Sequence, residues 1–177
     1  GVKPKRRSRR CGHSWRSWVL SPRHGRARAL GEEALAVARS EGDQDQTSIS
    51  LHNLGRAALN EGRLDDARRR LRESLELSAG LGYKEVIAYC LEGIGELAAV
   101  AGHERDAARL LGAGIAMLEH LGIPIGPEER NGYERAVSRL QLGLGEDAFA
   151  RLEAEGRELP LAQAIAEAVE VVGQVAL

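Results

Sequence analysis

Five glycines, Gly42, Gly62, Gly82, Gly102 and Gly122, stand 20 residues apart along the chain. A break at so regular an interval cuts the sequence into segments of one length. Within the segments apolar residues recur at i, i+3, i+4 and i+7, the spacing of an amphipathic helix. A glycine just past such a segment is the expected left-handed cap. The pattern predicts helices over residues 26–40, 45–60, 64–80, 84–101, 104–121, 127–142, 145–155 and 161–172. Connections this short make successive helices antiparallel neighbours. Aromatic residues are 3% of the chain, whereas sandwiches and barrels draw their cores from aromatic and β-branched side chains. The expected fold class is all-α.

The helices repeat in pairs, at an offset of 40. Residues 51–67 read LHNLGRAALNEGRLDDA and residues 91–107 read LEGIGELAAVAGHERDA. Leu51 aligns with Leu91, Leu54 with Ile94, Gly55 with Gly95, Ala58 with Ala98, and Ala67 with Ala107. The second helix continues the match through Leu71 with Leu111 and Leu75 with Ile115. Residues 27–42 fit as the second helix of an earlier, truncated pair. Gly55 and Gly95 are expected where the helices of a pair approach closely, because glycine lets backbones come together. The architecture expected is an antiparallel helix-pair solenoid over 26–122, preceded by a basic, disordered tail over 1–25 and closed by a helical cap over 123–177.

Leu54-Gly55, Gly62 and Ala67, and then Ile94-Gly95, Gly102 and Ala107, resemble the signature of the tetratricopeptide repeat. The sequence departs from it in carrying Leu51 and Leu91 where that family has a large aromatic, in lacking a proline at the end of the second helix, and in repeating every 40 residues. The segment 127–169, with Pro127, Glu128-Glu129-Arg130, Tyr133, Arg139, Leu144-Gly145-Glu146, Phe149 and Gly156-Arg157, looks like the closing part of such a region in large bacterial regulators. Those carry an AAA-like (STAND) ATPase and often a LuxR-type DNA-binding domain. The resemblance implies a non-catalytic protein–protein interaction module, the sensor or regulatory part of a transcriptional regulator or signalling ATPase. No Gly-x-x-x-x-Gly-Lys-Ser/Thr loop occurs, so ATP hydrolysis is not implied for this chain.

The repeat places the binding surface. First helices line the concave side of a tetratricopeptide array, which assigns Ile49, His52, Arg56, Leu59 and Asn60, then Tyr89, Glu92, Glu96 and Val100, to the groove. The occupant expected there is a protein, a peptide, a neighbouring domain of a larger protein, or the chain's own tail. With the first pair incomplete, the 26–40 helix exposes an apolar face, and a homodimer is expected through it.

Charge is divided unevenly. Residues 1–28 hold ten of the 25 Lys and Arg and no acid, leaving 15 basic against 26 acidic residues beyond. The acidic body is no nucleic-acid surface, whereas the basic head allows an alternative, a nucleic-acid-associated regulator acting through that arm. Two cysteines make no disulfide framework, and Cys90 reads as a buried apolar residue in a reducing, cytoplasmic setting. Neither a metal nor a cofactor is expected. Cys11-Gly12-His13 with His24 lacks paired ligand spacing, and Gly112-Ala113-Gly114 follows helix rather than strand, so it is no phosphate cradle. Arg68-Arg69-Arg70 and Arg72 sit among Asp65, Asp66, Glu73 and Glu76 and read as an ion-paired helix face.

Overall fold

The computed structural model describes residues 24–175. The tail expected over 1–25 falls outside it up to residue 23, as do Cys11, His13, Trp15 and Trp18. Among the described residues there are eight helices and no strand. They are α1 (His24–Glu41), α2 (Gln44–Asn60), α3 (Leu64–Leu81), α4 (Lys84–Ala101), α5 (Glu104–His120), α6 (Pro127–Leu144), α7 (Glu146–Arg157) and α8 (Leu161–Gln174). Each lies within two residues of its expected bounds.

The 20-residue glycines end their helices for a backbone reason. Gly42, Gly62, Gly82, Gly102 and Gly122 all have φ between 67° and 87°, the left-handed region that costs any other L-residue free energy. The N–H that follows turns back to close the helix, as Tyr83 N–H does on the Ser78 carbonyl and His103 N–H on that of Ala98. Asp43 caps α2 by accepting from Gln46 N–H at 2.9 Å, and Asp65 and Asp66 stand in the first turn of α3, where the helix dipole favours them.

The pairs α2–α3 and α4–α5 pack as the repeat requires. A Cβ on Gly55 would lie 2.9 Å from Leu71 Cγ, and one on Gly95 would lie 3.0 Å from Leu111 Cγ. Leu71, Leu75, Leu91, Ile94, Leu110 and Leu111 are fully buried in the core between the layers. Ser74 in α3 donates to the Ser48 carbonyl of α2 at 2.7 Å, and the Cys90 thiol of α4 donates to Ser74 at 3.2 Å. Three helices are thus tied through buried polar atoms that would otherwise be costly. Burial pushes the Cys90 thiol up to about 12.

The repeat register stops at α6. Offset 40 puts Arg135 where Gly55 and Gly95 stand, and no close helix approach can be made around an arginine. It is α7 that packs tightly on α5. A Cβ on Gly112 would strike the Glu153 carbonyl of α7, and one on Gly156 would strike the Arg109 backbone of α5. On the other side of α5, a Cβ on Gly114 would sit 3.0 Å from the Ala88 carbonyl of α4. Gly112 and Gly114 therefore let one helix touch two others at backbone distance. Helix α8 folds back over α3, α4 and α5. Arg109 fastens it, donating to Glu167 of α8 at 2.8 Å and to Glu155 of α7 at 3.0 Å.

The arginine cluster of α3 is an ion-paired face. Asp66 accepts from Arg63, from Arg69 at 3.1 Å and from Arg70 at 2.9 Å. Arg70 also reaches Glu32 of α1 at 2.6 Å, and Arg72 pairs with Glu76 one turn on. Burial alone would raise the Asp66 carboxyl, but the bonds from Arg70 and Arg63 outweigh it and hold it below the usual range.

Candidate functional site

The face shared by α2 and α4 carries most of the residues assigned to the groove. Their spacing of three and four keeps them on one side of each helix. Arg56 of α2 donates to Glu96 of α4 in an ion pair whose arginine side chain is 12% exposed. Desolvation works against the charged guanidinium, but Glu96, Glu92 and Glu129 outweigh it and raise its pKa. The rings of His52 and Tyr89 lie 5.7 Å apart at a 37° tilt, both buried, and His52 Nδ1 is 3.9 Å from Cys90 Sγ. Glu92 is buried beside them. Asn60 is exposed at the end of α2, Leu59 is half-buried and Val100 is exposed. Ile49 instead turns toward the main core.

This face is covered by the chain itself. The connection after α5 lays Ile123 and Ile125 against Ala88, Tyr89 and Leu118. Helix α6 then crosses above the ion pair. A Cβ on Gly132 would come 2.5 Å from Glu96 Oε1 and 2.7 Å from an Arg56 Nη atom, so α6 crosses close over the tips of both charged side chains, which would have to shift for a larger residue. One turn further, Arg135 donates to Asn60 Oδ1 at 3.1 Å. Tyr133 reaches under α7, and its hydroxyl is pushed up to about 12, first by burial and then by the charge of Glu153.

Ile123, Ile125, Glu129, Gly132 and Arg135 were outside the sequence assignment. Gly132 did leave a signal, since glycine inside a helical pattern costs about 1 kcal/mol against alanine and marks a close approach. The repeat itself had no place for it. Among the described residues no group of three or more His, Cys, Asp or Glu is placed to hold a metal ion. No helix there is long and apolar enough to cross a membrane.

Residues 23–80 match the family model described as tetratricopeptide repeat. That span takes in α1, α2 and nearly all of α3, about a third of the chain, and supports a tetratricopeptide-repeat region there. The α4–α5 pair repeats α2–α3 in the same register. Comparison with curated proteins and with solved structures yields no match. Such a region makes a protein–protein interaction module the class to which the fold points, and α6 lies over the α4 part of the surface that its first helices present, reaching α2 through Arg135 and Asn60.

Proposed function

We propose that the chain is a non-catalytic interaction module whose recognition face is held by its own α6, and that a partner helix acts by taking that place. The observation that carries this reading is the seat of Gly132 over the Arg56–Glu96 pair. A surface that already accepts one helix, through a glycine crossing and an arginine one turn on, together with two isoleucines of the connection before it, has the chemistry to accept another. The residues assigned to the groove, Ile49 apart, are then the floor of that site. A face whose occupant can be exchanged suits a regulatory role, and with the resemblance of residues 127–169 it supports a cytoplasmic setting as the sensor segment of a transcriptional regulator or signalling ATPase.

The test is a Gly132→Leu chain, in which the new side chain collides with Arg56 and Glu96. A labelled peptide of residues 121–144 is titrated into it and into the parent chain. The variant should bind the peptide and the parent should not. A variant that keeps its helical circular dichroism yet binds no peptide would refute the proposal. A nucleic-acid role for the basic arm, favoured by its ten cations without an acid, makes a different prediction. Duplex binding would fall steeply with salt and vanish when residues 1–25 are removed.

A further inference from the structure

The seat beneath α6 holds more carboxylates than cations. The Arg56 stem crosses α4 at Gly93, where a Cβ would lie 3.3 Å from its Cδ. From there the guanidinium bonds to Glu96, and Glu92 stands one turn before Glu96 on the same helix. Glu92 is 1% exposed and Glu96 6%. Two buried acids of α4 therefore meet one arginine of α2.

Helix α6 brings a further acid to this cluster and no cation. It runs alongside α4 in the same direction. Ile125, just before it, lies in the cluster of Ala88, Tyr89 and Leu118, Gly132 lies over Glu96, and Gly143 lies over Glu104 beyond the end of α4. Glu129, one turn before Gly132, thus comes at the level of Glu92, and its charge acts on Arg56 as theirs does. Arg130, Arg135 and Arg139 of α6 are exposed, and Arg135 goes to Asn60. Arg157 of α7 is held by Glu119 and Glu153.

Like charges repel far more strongly where water is excluded than at a surface. A helix that places a cation where α6 places Glu129 replaces that repulsion with a charge-assisted pair. An occupant that matches the seat in shape but not in charge is one that a charge-matched helix can displace.

Resting on the reading that this seat exchanges α6 for a partner, we infer that the partner is a cationic amphipathic helix. It carries a Lys or Arg at the level of Glu92 and Glu96, where α6 has Glu129, and a small residue one turn on, where Gly132 crosses.

The test titrates labelled peptides of residues 121–144 into the Gly132→Leu chain, in the parent sequence and with Glu129→Lys, Glu129→Gln or Glu134→Lys. Glu134 is exposed on α6, so Glu134→Lys carries the same net charge as Glu129→Lys without facing the seat. The Glu129→Lys peptide should bind at least about tenfold tighter than the parent peptide. Glu129→Gln should fall between them, and Glu134→Lys should match the parent. Lysine in the first turn of a helix opposes its dipole, so a tighter Glu129→Lys peptide cannot owe its gain to helicity. A Glu129→Lys peptide no tighter than the parent, or equalled by Glu134→Lys, overturns the inference and leaves the exchange of α6 standing. Binding by none of the peptides overturns both. The full chain gives a second measurement that needs no exchange. With Glu129→Lys it should unfold at a higher urea concentration than with Glu134→Lys, and an equal or lower midpoint overturns the inference.

Discussion

Replacing Gly156 by alanine and replacing Gly80 by alanine should have opposite effects, although both residues lie in the last turn of a helix. A Cβ at Gly80 meets nothing within 4 Å. There the substitution acts through backbone entropy and helix propensity, and should stabilise by about 0.5 to 1 kcal/mol. A Cβ at Gly156 would lie 2.7 Å from both the Cα and the carbonyl carbon of Arg109. Carbon atoms sit comfortably at roughly 3.5 to 4.0 Å, so α7 must withdraw from α5 by about 1 Å. A gap of that size forfeits a quarter to a half of each contact along the seam, where Phe149 and Leu152 are buried. Overpacking of this kind costs about 1 to 3 kcal/mol, and here backbone rather than a flexible side chain must move, which argues for the upper end. Set against the same propensity gain, a net loss of about 1 to 2 kcal/mol remains. Urea unfolding followed by helical circular dichroism measures both variants, with the midpoint falling for Gly156→Ala and rising for Gly80→Ala. Equal shifts in one direction would refute the α5–α7 contact as described.

Two further outcomes can be checked directly. The Asp66 carboxyl is held below its ordinary range in the folded chain, so the stability it contributes is present above the unfolded value of about 4 and is lost as pH falls through the folded one. The stability gap between the parent and Asp66→Asn should be level from neutral pH to about 5 and close below about 4. A gap that does not change with pH would remove the arginine bonds as its cause. The Cys90 thiol, buried and raised to about 12, should resist a disulfide reagent at pH 8 in a Cys11→Ser chain until urea unfolds it. Labelling in the folded state at the unfolded rate would contradict its place between Ser74 and His52.

The helices were legible because their signals are local. Gly82 and Gly102 close α3 and α4 with left-handed backbone, and no distant residue has to be known for a glycine to do so. Gly55 and Gly95 were legible for a second reason: a repeat shows the same packing problem twice, so a small residue recurring at one register point names the close approach. The arginine run of α3 was readable from its acids at i−3, i−4 and i+4, although its tie to Glu32 of α1 was not.

The face between α2 and α4 was readable as a place, and its occupant was not. The repeat places Arg56 and Glu96 together because they are 40 residues apart in equivalent helices, and the ion pair follows from that register. Nothing in the periodicity of residues 127–144 says that they return to this face. An amphipathic pattern states that a helix has an apolar side and leaves open what will cover it. Gly112 was visible as a glycine in a helix, yet only its meeting with the backbone of Glu153 and Arg157, far along the chain in α7, gives it a purpose. The sequence by itself determined the helices, their caps and the seams within each pair, because those depend on neighbours at fixed spacing. The tertiary structure alone decided that α6 lies over the ion pair and that α7 seals α5, because those depend on how whole helices compete for the same apolar surface.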